Sequence, residues 1–388
     1  MPENKLPPKL LIVTTVPITL KVILSGQPSF LSSAFDVSIV SSPDEELLYV
    51  SSQESVSSFQ VPMERGISPL RDLVSVFKMV KLFQTHKPHM VHSYTPKAGL
   101  VSMLAGFIAR VPIRIHTFTG LIFPTSTGIK KLILIWMDRL ICACATNVVP
   151  EGNGVKKDLL DHGITNKPLA VIGNGNIAGV DLTRFDKSFV IKDKLHIPLK
   201  LKLNMPSNAF VFCFVGRFTL DKGFIELIDA FKLLPDNAHL LLVGENDVRQ
   251  PLPDEITALL NSHARIYNIG FQIDIRPALA LSNVLVLPSY REGFPNTPLQ
   301  AGAMSLPSIV TDINGCNEII KPRYNGWIVP VKDSVALYEA MLSATNSDDL
   351  LALGENARLN IKQNFERNQH WKNMLSFYQN LLNKNSIK

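Results

Sequence analysis

No run of this sequence is long and apolar enough to cross a bilayer. The strongest candidate, residues 132–145, is interrupted by Asp138 and Arg139 and falls short of the roughly 20 residues a spanning helix needs. The apolar run 10–13 is shorter still. Thr14, Thr15 and Pro17 end it and no small-residue cleavage site follows, so it is read as a first strand and not a signal peptide. The chain is expected to be cytoplasmic, soluble or peripheral on the inner face of the cytoplasmic membrane. Cysteine is scarce: Cys142, Cys144, Cys213 and Cys316 all lie in apolar segments. Cys142 and Cys144, two apart, would point different ways on a helix and cannot clamp a metal. All four are read as buried small hydrophobes of a reducing compartment. Low-complexity tracts and repeats of fixed period are absent, which excludes a disordered chain or a solenoid. The basic residues form no aromatic-interleaved stripe. A net charge of +6 therefore suits an anionic ligand or an acidic membrane surface better than nucleic acid.

What is present is an ordinary globular composition, 46% hydrophobic and 19% charged, in 388 residues, a length that suits two α/β domains. Strand and helix signals alternate, which argues for parallel sheets. In the first half, strands are expected at 9–14, 36–40, 89–92, 113–116, 146–149 and 170–172, with the clearest helices at 69–86 and 97–109. Around 173–185 the pattern lapses into GNGNIAGVDLTRF, a natural boundary. A second series follows, with strands at 209–215, 239–243, 264–268, 284–288 and 308–310. The expected organisation is a first Rossmann-like domain over 1–180, a second over 187–365, and a final segment over 366–388. That segment carries Trp371, Met374, Phe377, Tyr378 and Leu381 at helical spacing and needs a surface to cover. Gly173, Gly175 and Ala178 imitate a dinucleotide-binding G-x-G-x-x-A, but no helix of proper length follows, so a nicotinamide dehydrogenase is a weak alternative.

The strongest chemical signals lie in the second half. After the strand ending at Val215 come Gly216, Arg217 and then Lys222-Gly223, opening a helix. A strand feeding a helix N-terminus offers free backbone N–H groups and a favourable dipole to an anion, and two cations beside it would neutralise a diphosphate. A second junction reads Ser289-Tyr290-Arg291-Glu292-Gly293-Phe294-Pro295-Asn296-Thr297-Pro298. A helix is expected to start near Thr297 with Asn296 as its N-cap. Strand C-terminal ends face the ligand crevice in open α/β sheets, which would offer the Glu292 carboxylate to sugar hydroxyls.

These stretches, GRFTLDKG and SYREGFPNTPLQAGAMSLPSIVTDINGCNEII, resemble the donor-binding half of glycosyltransferase family 4. VHSYTPKAGLVSMLAGFIARVPIRIHTFTG resembles the first-domain stretch of members that build bacterial capsule, O-antigen and lipid-linked glycans. The resemblance implies a GT-B fold, α/β, with two Rossmann-like domains facing across a cleft and a C-terminal helix crossing back to the first. It implies a retaining transferase that takes a nucleotide-sugar donor and a polyprenyl-diphosphate-linked saccharide acceptor, with no cofactor. UDP-hexose or UDP-N-acetylhexosamine is the favoured donor. GDP-mannose or GDP-fucose, a sugar-nucleotide epimerase of the same scaffold, and more remotely a non-catalytic sugar-binding protein are the alternatives.

By the same resemblance Arg217 and Lys222 match the cations on the donor diphosphate, and Glu292 the acid on donor-sugar hydroxyls. Gly293, Phe294, Pro295, Asn296 and Thr297 match a backbone cradle beside Gly216. Gly270, Phe271 and Ile273 match the nucleobase pocket, and His116 a histidine against the transferred sugar. The family's second glutamate is here Gln300, which can still hydrogen-bond a ribose but brings no charge. There is no Asp-x-Asp, the usual metal-holding pair of the other major glycosyltransferase fold, so no metal is expected. Thr15, Pro17 and Thr19, after the first strand, and His92, Ser93, Tyr94 and Lys97, at another strand end, are the candidate acceptor residues. Helices beginning at Pro69 and Ile129 carry Arg71, Lys78, Lys81, Lys130 and Lys131 beside apolar residues. A solvated face is the plain account, and a face resting on anionic lipid the sharper one.

Overall fold

The computed structural model describes residues 6–64, 66, 68–247 and 251–386. The chain folds into two units, one running to Gly179 and resumed from Asn368, the other Val180–Arg367. The first contains β1 (Lys9–Val13), β2 (Asp36–Ser41), β3 (Ser57–Gln60), β4 (Met90–Ser93), β5 (Ile113–Phe118) and β6 (Asn147–Pro150). They form one sheet in the order β3-β2-β1-β4-β5-β6, parallel throughout. The second contains β7 (Phe210–Val215), β8 (Ala238–Val243), β9 (Ile266–Asn268), β10 (Val284–Leu287), β11 (Ser308–Thr311) and β12 (Gly326–Val329). Its order is β12-β11-β10-β7-β8-β9, again all parallel. Both are doubly wound α/β sheets. The order reverses between β1 and β4 in the first sheet and between β7 and β10 in the second, and crevices open at such points.

Strands buried on both faces read as continuous apolar runs, and those of β1 and β7 do so. Alternation then sorts side chains by face. Leu11 and Val13 join the core shared with the helices Pro69–His86, Pro96–Ile108 and Gly128–Cys144, whereas Leu10 and Ile12 face the opposite side. That opposite side is where the C-terminal helix Arg367–Ser386 lies: Met374, Tyr378 and Leu381 belong to its core. Trp371 packs on Phe30 with ring centroids 5.3 Å apart, and Tyr378 meets Phe35 edge-on. All four cysteines are free and buried. Burial pushes the Cys142 and Cys213 thiols up to about 12, so they stay protonated hydrophobes.

Two expectations about the elements need correction. Residues 170–172 form no strand; Leu169 makes a single bridge to Val148, because Pro168 precedes it and the chain turns at Gly173 with φ +60°. Asn296 is the first residue of the helix Asn296–Ala303 and not its N-cap; the last extended residue is Pro295, at φ −69° and ψ 128°. Strands β3 and β12 and the helix Glu45–Glu54 carry no expectation at the sequence level, the two strands being short edge segments. Residues 173–186 contain no helix; the next one, Lys187–Lys192, is too far on and too short to complete a dinucleotide-binding turn.

Candidate active site

At the reversal point of the second sheet the loops after β7 and β10 are locked together. Gly223 sits at φ +72°, and a Cβ there would lie 2.0 Å from the Pro288 carbonyl oxygen, so only glycine permits the approach. Beside it the Tyr290 N–H donates to the Asp221 carbonyl at 2.8 Å, and the Arg291 guanidinium reaches the Asp221 carboxylate at 3.2 Å. This stitching brings the two motifs into contact at their charged residues. The Lys222 ammonium donates to Glu292 Oε1 at 2.5 Å, with the two side chains only 16% and 15% exposed. Tyr290 anchors the second loop by donating its hydroxyl to both oxygens of Glu226 at 2.8 Å, and burial beside that carboxylate pushes the hydroxyl's pKa up.

Arg217 is held differently. Its guanidinium lies 2.5 Å from Asp247, with the arginine side chain 56% exposed and the aspartate nearly buried. Gly216 is partly buried, and its N–H donates to the Val243 carbonyl. Phe294 is packed in the core against Phe365 at 5.5 Å, and Pro295 is buried. Of the expected cradle, then, Phe294 offers a ligand backbone groups and not its ring. Gly293, Asn296, Thr297 and Gln300 are half-buried along the same loop and the helix it opens. The loop after β9 stands out for the opposite reason: Phe271 and Ile273 are large, apolar and exposed, following Gly270 at φ +71°. Sequence reasoning missed Gly315. It sits at φ +74° in the loop after β11, where a Cβ would come within 2.5 Å of the Gly293 carbonyl.

In the first unit the corresponding reversal joins the loops after β1 and β4. Thr15 and Thr95 share a hydroxyl–hydroxyl hydrogen bond of 2.7 Å, and Thr15 Oγ1 also accepts from the Ala98 N–H opening the helix Pro96–Ile108. Thr95 holds φ +109° and ψ 141°, a strained conformation for a β-branched residue. Pro17 is buried and Thr19 half-buried, at the start of a single π-helical turn, Thr19–Ile23. His116 is 1% exposed; its Nδ1 lies 2.9 Å from Ser93 Oγ, and its ring edge lies against Phe118. Helix 96–108 crosses so close that a Cβ on Gly99 would sit 2.3 Å from His116 Cε1. Burial lowers the His116 pKa to about 3, so the ring is neutral.

The acceptor candidates at β4 are all buried. His92 is fully buried, with Nδ1 2.6 Å from the Tyr378 hydroxyl and Nε2 2.7 Å from Thr117 Oγ1. Both ring nitrogens are used, and burial holds its pKa well below the usual histidine value. Tyr94 is fully buried and stacks on that ring at 4.2 Å. Ser93 serves His116, and Lys97 donates to both oxygens of Asp72 at 2.6 Å. These four side chains pack within the first unit.

Such a pair of doubly wound units, each with loops gathered where its strand order reverses, defines the GT-B class. Residues 31–175 match the family described as glycosyl transferase 4-like domain, and residues 199–364 match glycosyl transferases group 1. The capsular polysaccharide biosynthesis glycosyltransferase CapM of Staphylococcus aureus is 31% identical over 372 residues, covering 94% of this chain and 96% of its own. The UDP-Gal:alpha-D-GlcNAc-diphosphoundecaprenol alpha-1,3-galactosyltransferase of Escherichia coli is 29% identical, covering 80% of this chain and 81% of that one. The crystal structure of HepE from Anabaena in complex with UDP superposes with a TM-score of 0.79, at 18% identity, over 96% of this chain and 100% of that one. This chain belongs to glycosyltransferase family 4.

Proposed function

We propose that the protein transfers a hexose or N-acetylhexosamine from a UDP-linked donor to a polyprenyl-diphosphate-linked saccharide, with retention of configuration, in the synthesis of a bacterial surface polysaccharide. The observation that carries this reading is the Lys222–Glu292 pair at the reversal point of the second sheet, 2.5 Å apart and largely shielded from water. It sets a cation for a phosphate beside a carboxylate for sugar hydroxyls. Arg217, exposed on the same loop, supplies a second cation. Together they take the part of a metal ion, neutralising the diphosphate as it leaves. In the proposed step the acceptor oxygen bonds to the anomeric carbon on the face from which the diphosphate oxygen departs. The acceptor's proton passes to that departing oxygen, so no carboxylate nucleophile is needed. The neutral His116 acts as a hydrogen-bonding group beside the sugar, and the exposed Phe271 offers a face on which a nucleobase stacks.

Support for the substrates comes from the relatives' names. The Escherichia coli protein is named for a UDP-galactose donor and a diphosphoundecaprenol-linked acceptor. A Campylobacter jejuni relative, 26% identical over 304 residues, is named as an alpha-1,3-N-acetylgalactosaminyltransferase acting on a diphospho-undecaprenol-linked sugar. Such acceptors are lodged in a membrane, and we place the enzyme at its inner face. The test is thermal stabilisation of the purified protein by UDP-, GDP- and CMP-sugars in the presence of EDTA. UDP-sugars are expected to raise the melting temperature, and Lys222→Ala to abolish the shift. Stabilisation by GDP-sugars alone would replace the donor, and a shift that needs added divalent metal would overturn the metal-free site.

A further inference from the structure

The helices Pro69–His86 and Gly128–Cys144 lie in the layer that covers one face of the first sheet, on either side of helix 96–108. Each turns a buried stripe inward: Val76, Met79 and Phe83 on one, Ile141, Cys142 and Cys144 on the other. A helix in such a layer normally shows water a polar back. These two do not. Leu70, Leu73, Val74 and Phe77 are exposed on the first, and Ile129, Leu132, Ile133 and Trp136 on the second. Both sets follow the spacing i, i+3, i+4, i+7, so each is one continuous apolar stripe, and on the first helix it lies opposite the buried one. Phe77 and Trp136, at 71% and 70% exposure, are the aromatic members of the two stripes. Exposed apolar surface on this scale marks a docking face.

The charges around the stripes say what docks. Arg71, Lys78 and Lys130 each follow a stripe residue by one position and so flank the stripes on the same side, and Lys81 takes the next place along the first. The two helices contain only two acids, Asp72 and Asp138. Asp72 is turned inward to Lys97, and Asp138 is half-buried, its carboxyl raised to about 7 by burial. Outside the helices the exposed Glu64 pairs with Arg71, so the net positive charge of the rim rests on Lys78, Lys81 and Lys130, and the face is apolar with a lysine rim. A second copy brought against it by a two-fold axis would set lysine against lysine. A bilayer with anionic headgroups satisfies both features: the apolar stripes enter the acyl boundary, and the long basic side chains reach back to the phosphates. Among the described residues no helix is long and apolar enough to cross a membrane, so the contact is one of lying on the surface.

We infer that the outer faces of helices 69–86 and 128–144 form the surface by which this protein docks on an anionic membrane. The inference deepens the reading of a lipid-linked acceptor and rests on it for its purpose, but it is testable without any substrate. The full chain is floated with vesicles of phosphatidylcholine alone and with about 30% phosphatidylglycerol, on the order of an anionic bilayer. Binding is expected at least about tenfold stronger with the anionic lipid and lost in Phe77→Ser/Trp136→Ser. Lys78→Gln/Lys81→Gln/Lys130→Gln should erase the preference for phosphatidylglycerol. Trp136 fluorescence should shift to the blue on binding and be quenched by brominated acyl chains. Because the substituted residues are exposed, melting temperature and stabilisation by UDP-sugar should be unchanged in every variant, which separates a failed surface from a failed transferase. Equal vesicle binding by the wild type and the Phe77/Trp136 variant overturns the inference, as does absence of vesicle binding by the wild type. So does a solution dimer that dissociates in that variant, which would assign the face to a second copy.

Discussion

Lys222 and Arg217 look alike in the sequence, and each is paired in the structure with a shielded carboxylate. The Lys222 ammonium is shielded and paired with Glu292, so Lys222→Ala strands a carboxylate away from water. Arg217 is more than half exposed, but its partner Asp247 is only 7% exposed, so Arg217→Ala also takes the cation away from a shielded carboxylate. Both alanine variants are expected to raise the barrier to transfer by about 2–4 kcal/mol, the loss of a charge contact to the departing group. Both should also lower the urea midpoint. Initial rates and urea melts of the two variants check this, and wild-type rates in both would remove the diphosphate site. Gln300, half-buried on helix 296–303, should accept Glu with turnover unchanged or slightly raised; loss of activity would mean that the ribose needs a donor there. At this scale the sequence shows which residue types stand at strand ends. It does not show that Lys222 and Glu292 touch, because their meeting depends on the Gly223–Pro288 approach between loops far apart in the chain.

The C-terminal helix is the element whose place the chain advertises most openly. Its apolar residues recur at helical spacing, and Met374, Tyr378 and Leu381 are buried in the core of the first unit. What spacing cannot show is the polar joint at its centre, where the Tyr378 hydroxyl meets His92 Nδ1. Tyr378→Phe keeps the ring and leaves a buried nitrogen unpaired, at a cost of about 1–3 kcal/mol. A urea melt should show that loss, and a midpoint equal to wild type would mean that water or another group replaces the hydroxyl. The same joint shows what His92's place at a strand end could not: a histidine there looks the same in sequence whether it faces a ligand or a helix returning from the far end of the chain.

For the whole molecule, buried histidines set the response to acid. His116 and His370 have their pKa values lowered to about 3 and about 4, and His92 is held well below the ordinary value, burial being the leading cause in each. Below the unfolded value near 6.5 the unfolded chain takes up protons that these folded rings refuse. Stability is therefore fully present above that pH and falls as pH drops towards 3–4, by ~1.4 kcal/mol per pH unit for each ring. All three rings lie in the first unit. His239 and His263 in the second are lowered too, without so large a shift. Calorimetry at about pH 7.5 and about pH 5, on either side of the unfolded value, should show the melting temperature falling on acidification, most for the transition of the first unit. A melting temperature that holds or rises in the acid sample would contradict the buried neutral rings.

Local periodicity and turn chemistry are enough to read the two series of parallel strands, the long helices and the glycine-punctuated junctions at the ends of β7 and β10 from the chain alone. Helix 69–86 has the same limits in the structure as in the sequence reading. Edge strands β3 and β12 escape because a short strand, SSFQ or GWIV, carries too few residues for a period to register. Segment 170–172 reads as a strand by composition and is none, because pairing is a property of a segment's neighbour as much as of the segment. Folding in three dimensions alone divides the polar groups at the strand ends into those spent on the protein itself, as His92, Ser93, Tyr94 and Lys97 are, and those left accessible, as Arg217 is. Burial makes that division, and burial is set by what the rest of the chain lays over a residue.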